Sequence, residues 1–262
     1  MQKKNFVKEK LRSGRPVLGI WSLIPNPTVL EIAGASGFDF QILDLEHGSY
    51  DFASLEDGIR TCESVGCSPL VRPPGLDASA IQKALDLGAH GIVVPQVQGH
   101  AEALAAVQAT KYAPEGVRGF NPFTRAGDYR GGVDGPRPPL SNDFGLSSVI
   151  IETREAYEQL DRILAIPGLD LLYLGVYDMS VALGCPGDLG NPLVVEFLEA
   201  SLPRIRKAGV AAGVMVKNQA EMERFLQIGA NFLVYAVDTF VISNAMRAAN
   251  GMMDQARKIT GI

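Results

Sequence analysis

Residues 37–47 read Gly37-Phe38-Asp39-Phe40-Gln41-Ile42-Leu43-Asp44-Leu45-Glu46-His47. A glycine stands where a helix must stop and reverse, because it takes up the left-handed backbone without penalty. A short, largely apolar run follows, Phe40–Asp44, which suits a parallel strand covered on both faces. The run then ends in titratable residues. The same glycine-then-strand junction recurs at Gly66, Gly88, Gly168, Gly209 and Gly229. Eight such runs can be read: Val17–Trp21, Phe40–Asp44, Pro69–Arg72, Gly91–Pro95, Ser148–Glu152, Leu171–Gly175, Ala212–Val216 and Phe232–Val237. Between them lie helix starts. Asn26-Pro27 and Asn191-Pro192 pair a capping side chain with a proline at the first helical position. Asn218 followed by Glu221 predicts a capping box, and Asp51, Asp77 and Thr153 are further caps. Alternation on this scale predicts an α/β fold, a (β/α)8 TIM barrel. A doubly wound open sheet is the rival. It would show a Gly-rich phosphate loop after its first strand, where this chain has Trp21-Ser22-Leu23-Ile24-Pro25.

The chain has 262 residues, 47% of them hydrophobic, which suits one large core and a single domain over 1–262. Its net charge is -5, and the only run of like charge is Lys3-Lys4. A nucleic-acid partner is therefore not expected. No apolar stretch reaches about 18 residues, so no membrane partner is expected either. Cys62, Cys67 and Cys185 are odd in number and form no C-x-x-C pair. With no apolar signal core at the N-terminus, they predict reduced thiols and a cytoplasmic location. His47, His90 and His100 are the only histidines, too poorly spaced for a zinc site.

One segment breaks the rhythm. Tyr112–Ser147, between helix four and strand five, is rich in Gly, Pro and Arg, with Arg118, Arg125, Arg130 and Arg137 and the aromatics Phe120, Phe123 and Tyr129. Loops this long are commonly functional or interfacial. A surface excursion is the plain expectation. The sharper one is an active-site cover or subunit contact that meets anions through arginine.

A barrel of this kind carries its chemistry at the C-terminal ends of its strands. Those ends hold Trp21, Asp44 with Glu46 and His47, Arg72, Gln96, Glu152, Asp178 after Gly175, Lys217 and Asp238. Converging carboxylates need a cation or a shared proton. Oxygen ligands favour Mg²⁺ or Mn²⁺, with Co²⁺ also possible, over zinc. Arginine grips a planar carboxylate through two bonds. Metal, Arg and His together predict a site for an anionic oxo acid and an enolate. Each residue also has an ordinary structural explanation: Glu152 as an acid complementing the dipole of the following helix, Asp44 as a cap, Asp178 as a turn former, Arg72 as an ion-pair partner, His47 as a turn residue.

The segments Asp44-Leu45-Glu46-His47, Val71-Arg72-Pro73, Leu85-Asp86-Leu87-Gly88-Ala89, Ile151-Glu152-Thr153-Arg154 and Leu174-Gly175-Val176-Tyr177-Asp178-Met179-Ser180, together with Tyr112–Gly119, resemble the HpcH/HpaI aldolase family from about Gly19 to Val237. The resemblance implies a barrel assembling as a homohexamer, a trimer of dimers. A C-terminal helix of about 240–258 would pack on a neighbouring subunit. It implies metal-dependent cleavage of 4-hydroxy-2-oxo acids to pyruvate or a related 2-oxo acid plus an aldehyde. Matched position by position, Glu152 and Asp178 are the metal ligands and Arg72 binds the oxo acid. His47 is the base, Asp86 the acid orienting it, and Asp44 an outer acid. Gly175, Val176 and Tyr177 hold the substrate carboxylate through backbone amides, beside Trp21. The family often has Gly-Pro-Ala-Asp where this chain has Gly175-Val176-Tyr177-Asp178, and many members have Gln where Ile150 stands.

Three other readings compete. A condensing enzyme of the same family would join oxaloacetate or a similar acid to an acyl-CoA, with Tyr177 and Ile150 as its support. A Schiff-base aldolase would use Lys217. A non-catalytic ligand-binding barrel would have lost the catalytic groups, and all five key positions are filled.

Overall fold

The computed structural model describes residues 4–131 and 142–260. Eight parallel strands close into a barrel in chain order: β1 Val17–Ser22, β2 Phe40–Asp44, β3 Ser68–Arg72, β4 Gly91–Val94, β5 Leu146–Ile151, β6 Leu171–Leu174, β7 Ala211–Val216 and β8 Phe232–Val237. This is the expected (β/α)8 barrel, and each expected run coincides with a strand to within about two residues. The six junction glycines all take positive φ, from 73° at Gly66 to 112° at Gly229. A side chain would strain the backbone at each.

Helices α1 Phe6–Arg12, α2 Pro27–Ala35, α3 Phe52–Ser64, α4 Ala78–Asp86 and α5 His100–Ala109 open the succession. Helix α1 precedes the first strand and closes the base of the barrel. The Asn5 side chain donates to the His90 carbonyl at 2.6 Å, and Lys8 Nζ donates to Asp170 at 2.9 Å. The caps behave as the sequence predicts at Asn26, Asp51, Asp77, Thr153 and Asn191. At Asn218 the expected box is displaced by one residue. Its side chain accepts from the Glu221 amide, but the Glu221 carboxylate reaches the Lys217 amide.

Two apolar layers hold the barrel. Outward-facing residues such as Leu43, Val71, Ile92, Val149, Leu172 and Val214 pack under the helices. Inward-facing Phe40, Ile42, Leu70, Leu146, Leu171 and Phe232 fill the lower interior. Phe40 and Phe232 stack with centroids 4.1 Å apart, and Phe40 fills the space left by the missing side chain of Gly19. The lower interior is therefore filled, and Trp21, Ile150 and Tyr173 line the cavity at the mouth.

The described part of the long segment lies against the base of the barrel, where a helix-to-strand connection begins and ends in this fold. Arg118 pairs with Asp86 at 2.7 Å and lies over the Tyr112 ring. Arg125 pairs with Glu63 at the end of α3. The described part of this loop is therefore not a cover of its own barrel's mouth, which corrects that expectation. Arg137 lies outside the described residues. The C-terminal helix spans Asp238–Thr260, longer than expected, and only its first residue is buried. Among the described residues no helix is long and apolar enough to cross a membrane.

Candidate active site

The C-terminal mouth is organised by two carboxylates, one behind the wall and one in it. Asp44 ends β2 and is fully buried. Its Oδ1 accepts from the Glu46 amide at 3.0 Å, the His47 amide at 3.3 Å and Arg72 Nε at 2.8 Å; Arg72 Nη2 meets Oδ2. Asp44 thus shapes the turn after β2 and grips the guanidinium through both its oxygens. Glu46 adds a second partner, 3.0 Å from Arg72 Nη1. The guanidinium carbon lies 4.2 Å from the centre of the Trp21 ring. Burial works against the Arg72 charge, but the Asp44 bonds and the surrounding acids outweigh it and hold its pKa above the ordinary value.

Glu152 directly follows β5 and is only 6% exposed. Its Oε1 accepts the Gln96 amide at 2.6 Å. Gln96 takes a left-handed φ of 56°, uncommon for a residue with a side chain. In that conformation its amide meets Glu152 while its side chain donates to Glu46 at 2.5 Å. Burial, with Asp178 and Glu46 adding to it, pushes the Glu152 carboxyl up to about 7 against the Gln96 hydrogen bond and Arg72. Asp178 stands in the first turn of the helix Val176–Ala182.

A cavity of about 280 Å³ opens here, lined by Trp21, His47, Arg72, Glu152, Gly175, Val176, Tyr177 and Asp178 among others. These eight expected residues therefore share one site. Asp44 stands behind Arg72 and does not line it. Asp86 is a correction. It ends α4, at the base of the barrel, and its charge is taken by Arg118, so within this chain it does not orient His47. The imidazole of His47 is 63% exposed and its nearest acid is Glu46, 3.9 Å away. Lys217 does not line the cavity, and its ammonium lies 5.1 Å from the Tyr177 ring centre. Glu46, Gln96 and Tyr173 are the additions. Glu46 and Gln96 were visible as polar strand ends, but only the fold shows that one bonds Arg72 and the other Glu152.

Glu152 and Asp178 give a carboxylate pair whose mutual repulsion a cation would relieve. Among the described residues no third His, Cys, Asp or Glu joins them in a metal-binding group. That donor set fits a hard ion that keeps several waters, as Mg²⁺ does, and does not fit a closed zinc centre.

Gly175 is required beside this pair for space. A methyl group on it would stand 2.6 Å from Glu152 Oε2 and 2.9 Å from Ile150. Gly175→Ala is therefore expected to displace the carboxylate and reduce kcat/KM by roughly 100-fold, because misplacement near 1 Å costs about that much. Urea unfolding is expected to show only about 1–3 kcal/mol of overpacking cost. A variant with full activity would remove Glu152 from the site.

A (β/α)8 barrel with acids, an arginine and a histidine gathered at its C-terminal mouth defines a barrel enzyme. The family model described as HpcH/HpaI aldolase/citrate lyase matches residues 17–245, and the chain belongs to that family. It is 33% identical to the 4-hydroxy-2-oxo-heptane-1,7-dioate aldolase of Salmonella typhimurium over 98% of both chains. Among solved structures it resembles an HpcH/HpaI aldolase from Desulfitobacterium hafniense, with 29% identity and a TM-score of 0.86 over 94% of this chain and 96% of that one. It also resembles the citrate synthase SbnG, with 26% identity and a TM-score of 0.87 over 98% and 100%.

Proposed function

We propose that this chain is a divalent-metal-dependent aldolase that reversibly cleaves a 4-hydroxy-2-oxo acid to pyruvate or a related 2-oxo acid and an aldehyde. The observation that carries this reading is the pairing of Glu152 and Asp178 opposite Arg72 in one cavity. Whole-length similarity to an enzyme named as a 4-hydroxy-2-oxo acid aldolase supports it.

Glu152 and Asp178 would hold the ion, Mg²⁺ or Mn²⁺. When bound, it supplies Lewis-acid polarisation of the oxo acid. The backbone at Gly175–Tyr177 lies at a helix N-terminus and would receive the substrate carboxylate. His47, at the rim, would take the proton from the 4-hydroxyl as the C3–C4 bond breaks. The bond's electron pair passes to the oxo acid as an enolate, whose oxygen faces the fixed cation of Arg72. Protonation at C3 completes the cycle.

The C-terminal helix supports assembly, here proposed as a hexamer. Met246, Met252 and Ile259 stand exposed along it, an apolar surface of the kind that marks a protein contact. The three free cysteines fit the proposed cytoplasmic location.

The test is chelation. Treatment with EDTA is expected to abolish aldol cleavage, and Mg²⁺ or Mn²⁺ to restore it. Full activity in excess chelator would overturn the metal assignment. The likeness to a citrate synthase favours one second reading, condensation of an oxo acid with an acyl thioester. Thiol release from acetyl-CoA in the presence of oxaloacetate would select it.

A further inference from the structure

The floor of the cavity holds a hydroxyl, that of Tyr173, which among the described residues donates to no other group. Tyr173 points into the barrel from β6, two residues before Gly175, and Ile150 pairs with it from β5, two residues before Glu152. Both sit one inward layer, roughly 6–7 Å along the strand, below the charged groups of the rim. Trp21 completes the floor from β1. Its Nε1–H is already spent on Tyr173 Oη, at 3.4 Å. Tyr173 Oη only accepts: among the described residues it donates to no group, although the residue is 4% exposed and lines the cavity.

The ring cannot swing away. It meets Trp21 edge to face at 5.7 Å. On the other flank it fills the space left by Gly213, where a methyl group would stand 2.7 Å from its Cδ2. Burial raises the phenol's pKa above its ordinary range, so it keeps its proton. The neighbouring walls, Ile150, Met215, Val237 and Leu23, are apolar. A ligand that fills the cavity and displaces water leaves this O–H unpaired unless it brings an acceptor, a loss of about 1–3 kcal/mol.

We infer that Tyr173 is a specificity-determining residue whose hydroxyl donates to a hydrogen-bond acceptor on C3 of the 2-oxo acid, so that the donor preferred here carries a C3 hydroxyl and not an alkyl group. The inference rests on the aldolase reading. There the carboxylate and carbonyl of the oxo acid are taken one layer higher by Arg72 and the Gly175–Tyr177 backbone. The C3 substituent is the part left to meet the floor. An all-apolar floor would favour the alkyl group weakly, whereas an unspent buried donor penalises it.

Hydroxypyruvate and 2-oxobutanoate differ only in exchanging OH for CH₃ at that point. Condensation with one fixed aldehyde is expected to favour hydroxypyruvate in kcat/KM by roughly tenfold or more. Tyr173→Phe is expected to bring that ratio to roughly one, whatever it does to turnover in general. Trp21 is the only tryptophan and touches both Tyr173 and Arg72, so its fluorescence reports binding of each acid independently of turnover. A wild-type preference for 2-oxobutanoate, or a hydroxypyruvate preference that survives Tyr173→Phe, overturns the inference. Should the variant fail to fold, the wild-type ratio and the Trp21 titrations decide alone. If neither acid nor pyruvate condenses with any aldehyde, the aldolase reading fails, and the Trp21 titrations still decide the role of Tyr173.

Discussion

Glu152→Gln is expected to make the metal-free protein more stable near neutral pH while removing its activity. The Glu152 carboxyl is raised from 4.5 to about 7 in the fold, first by burial and then by Asp178 and Glu46. An acid whose folded pKa is raised loses stability as pH climbs from its unfolded value through its folded one. Below about pH 4.5 the wild type bears no penalty, and above about pH 7 it bears all of it, about 3 kcal/mol. Glutamine carries no charge to desolvate and keeps an oxygen for the Gln96 amide. Urea unfolding in EDTA should therefore show little difference near pH 4.5 and a variant more stable by about 3 kcal/mol near pH 8. Adding Mg²⁺ should stabilise the wild type and leave the variant unmoved. Turnover should fall by at least roughly 1,000-fold, since the ion's carboxylate partner is gone. A variant less stable than wild type near pH 8 without metal would mean that Glu152 is already satisfied by its protein neighbours and needs no cation.

That this acid stands at the mouth end of the barrel was legible in the sequence, because it closes an apolar strand at its C-terminal end. The eight strands were legible for a related reason. A strand buried on both faces is written almost wholly in apolar residues, and each glycine before it marks a left-handed turn. The position of the described part of the long segment was legible too, yet easily misread. The segment joins a helix to a strand, so its two ends belong to the base, where Arg118 and Arg125 meet Asp86 and Glu63 instead of an anionic ligand. Within one chain Asp86 is placed by the same rule. It sits in a family motif, but a residue closing a helix before a strand belongs to the base. What no local pattern carries is pairing across the fold. Arg118 claims Asp86 from 32 positions away, and Glu152 takes its hydrogen bond from Gln96, 56 positions away. Tyr173 read as one more apolar strand residue. Its importance lies in an unspent proton, which only the surrounding contacts expose.

Arg72 supplies the second large effect, and it separates structure from chemistry. Asp44 is fully buried, and without the guanidinium it retains only the Glu46 and His47 amides. Arg72→Met should therefore cost roughly 3–5 kcal/mol, the penalty of a buried charge deprived of its partner. Arg72→Lys keeps the charge but offers a point where Asp44 and Glu46 are arranged for a planar fork. It should lower kcat/KM by roughly 100-fold or more, because a preorganised contact to the developing negative charge is lost. Loss of activity in either variant has two possible causes, a collapsed turn after β2 or a missing cation beside the enolate. Asp44→Asn combined with Arg72→Met distinguishes them. The amide needs no counter-charge and its oxygen still accepts from the two backbone amides, so most of the lost stability should return. Activity should not return, because nothing then faces the enolate oxygen. If urea unfolding and steady-state kinetics instead recovered together, Arg72 would be a structural partner of Asp44, and the enolate would have to be stabilised by other groups in the cavity.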